Sequence, residues 1–351
     1  MRIQTLALLV VCCFCSCCAK VPISSAQELV KLFNSLGSEI TAFTGDIEVT
    51  NDLDFSDQAL EFPLGYRSTS RVSFKGSTFN GNNHKITNLV MNTTTKTYKN
   101  AGLFDHLYNA TIENLIIDSS CSFAGDISAA LAPSFTDDVT VKNVINKATV
   151  NAQRYAAGFI GSVQNTHDLP LSFENCVNEG HITSIDQYAG GFIGRMHDCP
   201  NRQVVISNSF NNGNVTGKNS VGGFIGGIDK GSDGKTINSA RIFFVGSSNN
   251  GNVTSEGSLV GGFIGMISNT EKVLISALNS TNSGSVHGNH YIGGFVGSVQ
   301  RSTNIEVIIS NCENHGSITG SYSVGGFVGY IYNSANSALN ITNGINNGFT
   351  K

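Results

Sequence analysis

The stretch Gly190-Gly191-Phe192-Ile193-Gly194, GGFIG, decides the fold, because the chain writes it repeatedly. It returns as GGFIG at 222–226 and 261–265 and as GGFVG at 293–297 and 325–329, while 157–161 reads AGFIG. The second residue of the phrase falls at 158, 191, 223, 262, 294 and 326, in steps of 33, 32, 39, 32 and 32. Weaker copies, AGLFD at 101–105 and AALAP at 129–133, precede it in steps of 28. A fixed period in this range marks a repeat architecture.

Outward from the phrase, the rest of each unit is equally regular. Asn178, Asn211, Asn249, Asn282, Asn314 and Asn346 form one column. Gly180, Gly213, Gly251, Gly284, Gly316 and Gly348 form the next but one. The apolar runs are short, β-branched and bounded by Gly, Asn and Ser, and no window keeps a helical spacing. The expected fold is all-β: a parallel β-helix (β-solenoid) of about eight coils, 28–39 residues each, with two or three short strands per coil. Each coil leaves backbone groups unpaired on two edges and satisfies them by stacking on its neighbours.

The columns have physical jobs. Phe159, Phe192, Phe224, Phe263, Phe295 and Phe327, with Leu103 and Leu131 before them, are expected to stack inside the solenoid at about 4.8 Å per coil. The adjacent glycines serve positive φ or close backbone approach where the coil bends. The Asn column is expected at a turn near the left-handed region, its amides bonding along the stack.

The domain reading is a signal peptide over 1–19, an N-terminal cap over 20–100 and the solenoid over 101–351. Met1–Arg2 and the apolar run Leu6–Phe14 carry the first, and they predict an extracellular, secreted or surface-associated chain. In the cap, Ala26–Leu36 reads as a helix with Leu29, Leu32, Phe33 and Leu36 on one face, Ser25 and Glu28 as a capping box and Gly37 as its stop. Ile40–Phe55 alternates like strand, and Phe74–Met91 reads as strand, turn and strand about Gly81-Asn82-Asn83.

Only 13% of the 351 residues are charged, and the formal net charge is −4. No basic stripe marks a nucleic-acid partner, and no later stretch is long and apolar enough for a transmembrane segment. Five of nine cysteines lie in the signal segment. Cys121, Cys176, Cys199 and Cys312 are too sparse for a disulfide framework. Cys176 and Cys312 sit four repeats apart, about 19 Å at the stacking distance, so they are not a bridge. Cys176–Cys199 stays open as a pair, with buried single thiols the simpler expectation.

With those columns go pieces that extend further. AQELVKLF at 26–33, VTNDLDF at 49–55, the run from Phe74 to Leu89 with His84 inside it, and ATIENL at 110–115 stand in the order seen in GLUG-motif repeat proteins. The chain resembles that family over nearly all of residues 20–351, with Phe in place of Leu in the eponymous phrase. The resemblance implies a secreted or surface-displayed, adhesin-like scaffold and no common catalytic set.

Chemistry is therefore sought in departures from the repeat. A carbohydrate-active enzyme on this scaffold needs clustered carboxylates, and the candidates are Asp137-Asp138, His167-Asp168 and His197-Asp198. His167, Asp168, His197 and Asp198 fall in variable segments of successive coils and could form a metal-suited patch, set against the simpler reading of two polar loops. Asp229, Glu271 and Glu306 stand singly in later coils. No catalytic residue or cofactor is assigned, and the expected role is non-catalytic binding of a glycan or an extracellular protein. A polysaccharide lyase or hydrolase and a purely structural surface protein are the alternatives. Asn92, Asn109, Asn214, Asn252, Asn279 and Asn340 begin glycosylation sequons. After Gly348 the repeat gives Phe349-Thr350-Lys351 where earlier copies continue. The C-terminal edge is thus a candidate for end-to-end self-association.

Overall fold

A computed structural model describes residues 20–68, 71–164, 170–231 and 237–351. Leading residues 1–19 lie outside it. Parallel strands form a β-solenoid of about nine turns, with a single helix among the described residues. The stack begins early: Val21–Ile23 pairs with Ile47–Val49, which pairs through Ile47 and Glu48 with Phe79 and Asn80, which pair with Ile112 and Glu113.

The later coils as far as Tyr332 hold five or six short strands rather than two or three. The coil from 170 runs Pro170–Glu174, Val177–Asn178, Ile182–Ser184, Tyr188–Gly190 and Ile193–His197. The additional breaks come from residues that bend the backbone without leaving the stack. Ile182–Ser184 and Tyr188–Gly190 belong to a 13-stranded sheet, and the other three run in a 27-stranded one. The 39-residue step carries an added strand, Ile237–Asn238, paired with Thr270–Glu271.

The phenylalanine column stands as expected. Neighbouring ring centroids are 4.8 Å apart from Phe159 through Phe192 and Phe224 to Phe263, then 4.4 Å to Phe295 and 5.5 Å to Phe327. Phe173 and Phe244 meet this column edge-on or tilted from the facing strand. Burying each ring contributes about 1.5–3 kcal/mol. Leu103 and Leu131 continue the interior position and are fully buried.

The asparagine column differs from expectation in backbone, not in bonding. Its members are extended strand residues, buried completely from Asn178 to Asn314. From Asn178 to Asn314 each Nδ2 donates to the next coil's Oδ1 at 2.6–2.8 Å and also to the glycine carbonyl two residues on. The ladder reaches one coil further back, to Asn146, whose Nδ2 donates to Asn178 at 2.8 Å. The left-handed position belongs to another column three residues earlier: Asn143, Asn175, Asn208, Asn279, Asn311 and Asn343, with Gly246 among them. Asn tolerates that region best among residues with a side chain.

The ladder explains the glycines. A Cβ on Gly191 would lie 2.2 Å from the Gly223 carbonyl and 2.4 Å from Asn211 Oδ1. The phrase glycines are required by close backbone approach, the second to the next coil, the first to a carbonyl of its own coil and the last to the preceding coil, and none of them has positive φ.

At the N-terminal side the helix is Ala26–Asn34, two residues shorter than read, and it buries Ala26, Leu29, Val30 and Phe33. Leu32 and Leu36 pack only partly against the core. Ser25 Oγ accepts from Glu28 N–H at 3.2 Å, while the Glu28 carboxylate reaches back to Ser24 rather than to the cap residue.

Candidate functional site

A solenoid turns alternate strand residues outward, so each outward position is a column whose occupants can be read coil by coil. Three residues after the column phenylalanine, Ser134, Ser162, Arg195, Gly227, Met266, Ser298 and Tyr330 follow one another in register. Two residues further, His197, Asp229, Ser268, Gln300 and Tyr332 do the same. These two columns break the uniformity of the repeat, and their polar members cluster on the middle coils.

Two networks result. In the first, Arg195 Nε donates to Asp229 Oδ1 at 2.8 Å and Nη1 donates to Tyr155 Oη at 2.7 Å. Tyr188 donates to Asp229 Oδ2 at 2.6 Å. The guanidinium lies against both tyrosine rings, 5.3 and 5.1 Å from their centroids. Gly227 makes room for this, since a Cβ there would press into the Tyr188 ring at 2.5 Å. Burial alone would depress the Arg195 pKa; the Asp229 carboxylate outweighs it and keeps the cation. Burial, aided by Asp229, pushes the Tyr188 phenol well above its usual range.

The second network joins His197, Asp198 and Ser162. His197 Nδ1 is 2.8 Å from Asp198 Oδ2, and Nε2 is 3.2 Å from Ser162 Oγ. Asp198 takes the left-handed conformation, φ 51°, which folds its carboxylate onto the preceding imidazole. Its other oxygen accepts from Gly231 N–H at 3.0 Å.

Nearby, Arg202 is fully buried. Its Nη2 donates to the Asp137 carbonyl at 2.6 Å, and its guanidinium lies 4.8 Å from the Phe135 ring centroid. Its Nε and Nη1, like Asp138 Oδ1, have no hydrogen-bond partner among the described residues. Burial brings its pKa down to about 10, against the pull of Cys199 and the two aspartates.

Of the residues proposed from sequence, His197 and Asp198 are in contact, whereas His167 and Asp168 lie outside the described residues. Asp229 is half of an ion pair with Arg195. Glu271 pairs with Lys272 at 3.4 Å. No group of three metal-ligating side chains occurs among the described residues. His84 lies at a turn, 3.3 Å from Asp52. The four cysteines are buried and free, so Cys176 and Cys199 are not bridged. Every sequon asparagine is exposed. Asn214 and Asn252 use Oδ1 to accept an N–H from the next coil, at 3.1 and 3.2 Å. Ser162, Arg195, Tyr155 and Tyr188 went unread because their pairing appears only when outward columns are aligned.

A third feature lies on the last two coils. The His290 and Tyr322 rings stack at 5.0 Å with planes 2° apart. Tyr291 stacks on Tyr330 at 4.5 Å, and Tyr330 on Tyr332 at 5.8 Å. Tyr322 is 66% exposed and Tyr332 49%.

No family model and no curated protein matches the chain. The chain is similar to the crystal structure of a candidate immunoglobulin A1 protease from Bacteroides ovatus, at 15% identity and a TM-score of 0.48, over 91% of this chain and 84% of that one. At this level the likeness carries no argument about activity. No helix among the described residues is long and apolar enough to cross a membrane.

Proposed function

We propose that this is a secreted or surface-displayed, adhesin-like scaffold of the GLUG kind that binds a glycan along the aromatic stripe of its last coils. The observation that carries this is the stacking of half-buried and exposed rings, His290 on Tyr322 in strand register, Tyr291 on Tyr330, and Tyr330 on Tyr332. Flat rings offer an apolar face to the C–H side of a sugar, and the phenols and imidazole supply hydrogen bonds at the rim. Coil stacking pre-orders the rings, so little side-chain entropy is lost on binding. The low charge of the chain suits a neutral ligand. Export follows from the basic start and apolar run at the N-terminus, and the exposed sequons suit a glycoprotein.

The test is calorimetric titration of the mature chain with a panel of oligosaccharides. Saturable binding that Tyr322→Ala and Tyr332→Ala each weaken at least tenfold, with the spectrum of the folded chain kept, is the expected result. Binding indifferent to both substitutions would overturn the assignment of the stripe.

A further inference from the structure

We propose that the corner formed by Lys230, Asn269 and Arg301 binds the carboxylate of an acidic sugar, so that the glycan held by the aromatic stripe is a uronate-bearing one. The inference rests on the glycan reading above and adds the class of sugar. Its basis is a polar groove of about 280 Å³ lined, among the described residues, by Lys230, Asn269, Thr270, Glu271, Arg301 and Thr303. Lys230, Arg301 and Thr303 are exposed, so the groove is open to a ligand from solvent.

The strand register builds it. Asp229 pairs with Ser268 and Ser268 with Gln300, which places the residues that follow them, Lys230, Asn269 and Arg301, one above another on three successive coils. Asn269 and Arg301 share a left-handed corner, φ 53° and 49°, and so leave the stack at the same place. The neighbouring wall comes from the longest step of the repeat. There the added strand Ile237–Asn238 pairs with Thr270–Glu271, and Glu271 pairs in turn with Thr303.

Charge decides the ligand. Glu271, the acid in the lining, is half-buried and already paired with Lys272 at 3.4 Å. The Thr270 hydroxyl is taken by Ser302 at 3.2 Å. Elsewhere the coils match cation to acid, as in Arg154 with Asp126, Lys142 with Glu174 and Lys147 with Glu179. Lys230 Nζ and the Arg301 guanidinium have no such partner among the described residues. They stand on alternate coils, about 10 Å apart along the stack, and an anion between them relieves their repulsion. A guanidinium grips a carboxylate through two parallel N–H donors, and an ammonium adds a point charge. Asn269 Nδ2 donates to Ser268 Oγ at 2.8 Å, which leaves its Oδ1 to accept from a sugar hydroxyl.

The groove continues the stripe. Arg301 N–H donates to the Tyr332 carbonyl at 2.9 Å, and Gln300 is in register with Tyr332. From Tyr332 to the coil of Lys230 is three coil steps, about 14 Å, within reach of a short oligosaccharide laid along the stack. The stripe takes the neutral faces of the sugars and the groove takes an acid on the same chain.

The experiment titrates the mature chain calorimetrically with oligosaccharides of galacturonate, glucuronate and mannuronate, each against its own methyl ester, which lacks only the charge. At least one acid is expected to bind at least about tenfold tighter than its ester. That advantage should hold at about 0.05 M salt and vanish at about 0.5 M, as screening shortens the reach of the cations. Arg301→Gln and Lys230→Met each reduce the advantage and together abolish it, with the fold confirmed by circular dichroism. Lys218→Met, which follows a strand of the 13-stranded sheet, leaves it unchanged. Tyr332→Ala weakens acid and ester alike. Equal binding of acid and ester overturns the groove and leaves the stripe standing, and an acid advantage that survives the double substitution overturns it too. An advantage lost with the cations but indifferent to Tyr322 and Tyr332 supports the groove and overturns the stripe. Binding of neither form overturns both.

Discussion

Replacing Asn249 in the middle of the amide ladder should cost far more than replacing Asn346 on its last coil. Asn249 Nδ2 donates to Asn282 Oδ1 at 2.8 Å and to the Gly251 carbonyl at 3.0 Å, and its Oδ1 accepts from Asn211 at 2.8 Å. Asn249→Ala strips the donor from two buried acceptors and takes one of two acceptors from Asn211. At about 1–3 kcal/mol for each buried polar group left unsatisfied, the loss is about 2–6 kcal/mol. Asn346 is exposed and accepts one ladder bond, so Asn346→Ala should cost under about 1 kcal/mol. Asn249→Asp is nearly isosteric but points an oxygen at two acceptors, and above neutrality it buries a charge as well. It should exceed the alanine penalty at pH 7. Its folded pKa lies above its unfolded one, so the penalty shrinks as pH falls toward the unfolded value. Urea titration followed by circular dichroism gives the order, and amide exchange over residues 245–285 shows whether the loss is local, since long arrays need not unfold in one step. Equal costs at 249 and 346, or an aspartate milder than alanine at pH 7, would refute the ladder as a source of stability.

Gly191→Ala should disrupt the stack, because its Cβ would meet a carbonyl at 2.2 Å, whereas Gly37→Ala meets nothing within 4 Å and should be close to neutral; melting temperatures of the pair decide this. The thiols of Cys176 and Cys199 are pushed up to about 12 by burial and that of Cys121 to about 11, so at pH 8 fewer than about one in a thousand is thiolate. Ellman's reagent should therefore find none of them in the native chain, and a fast native reaction would contradict their burial. Burial, with Arg71 nearby, lowers His106 to about 4. The unfolded chain binds that proton from about pH 6.5 downward while the folded one refuses it, so up to about 1.4 kcal/mol per pH unit is lost between those values; His106→Gln should flatten that part of the stability profile.

Repetition made the interior legible and the surface obscure. The phenylalanine and asparagine columns could be read before any coordinates because each job is stated six times, and an interior position at a fixed stacking distance permits few side chains. What failed was the assignment of backbone to column: two asparagines three residues apart recur in most coils, and the sequence alone does not say which bends. Both columns bond along the stack, for Asn143 also donates to Asn114 and accepts from Asn175, and only the backbone tells them apart: the fully buried ladder is extended, and the left-handed corner belongs to Asn175 and its equivalents. The polar networks were harder still. His197 was visible as half of a dipeptide, but the natural comparison was with the same dipeptide one coil earlier. Its actual contact is Ser162, thirty-five residues back, on the strand of the preceding coil. Arg195 and Asp229 are likewise one coil apart and two columns over. Contacts of this kind run diagonally, so a column-by-column reading passes between them. In a solenoid the columns are shared scaffold and the diagonals are individual. The chemistry particular to this chain therefore has to be sought where an outward column changes residue type: at Arg195 and Gly227 on the middle coils, and at Tyr330 near the end.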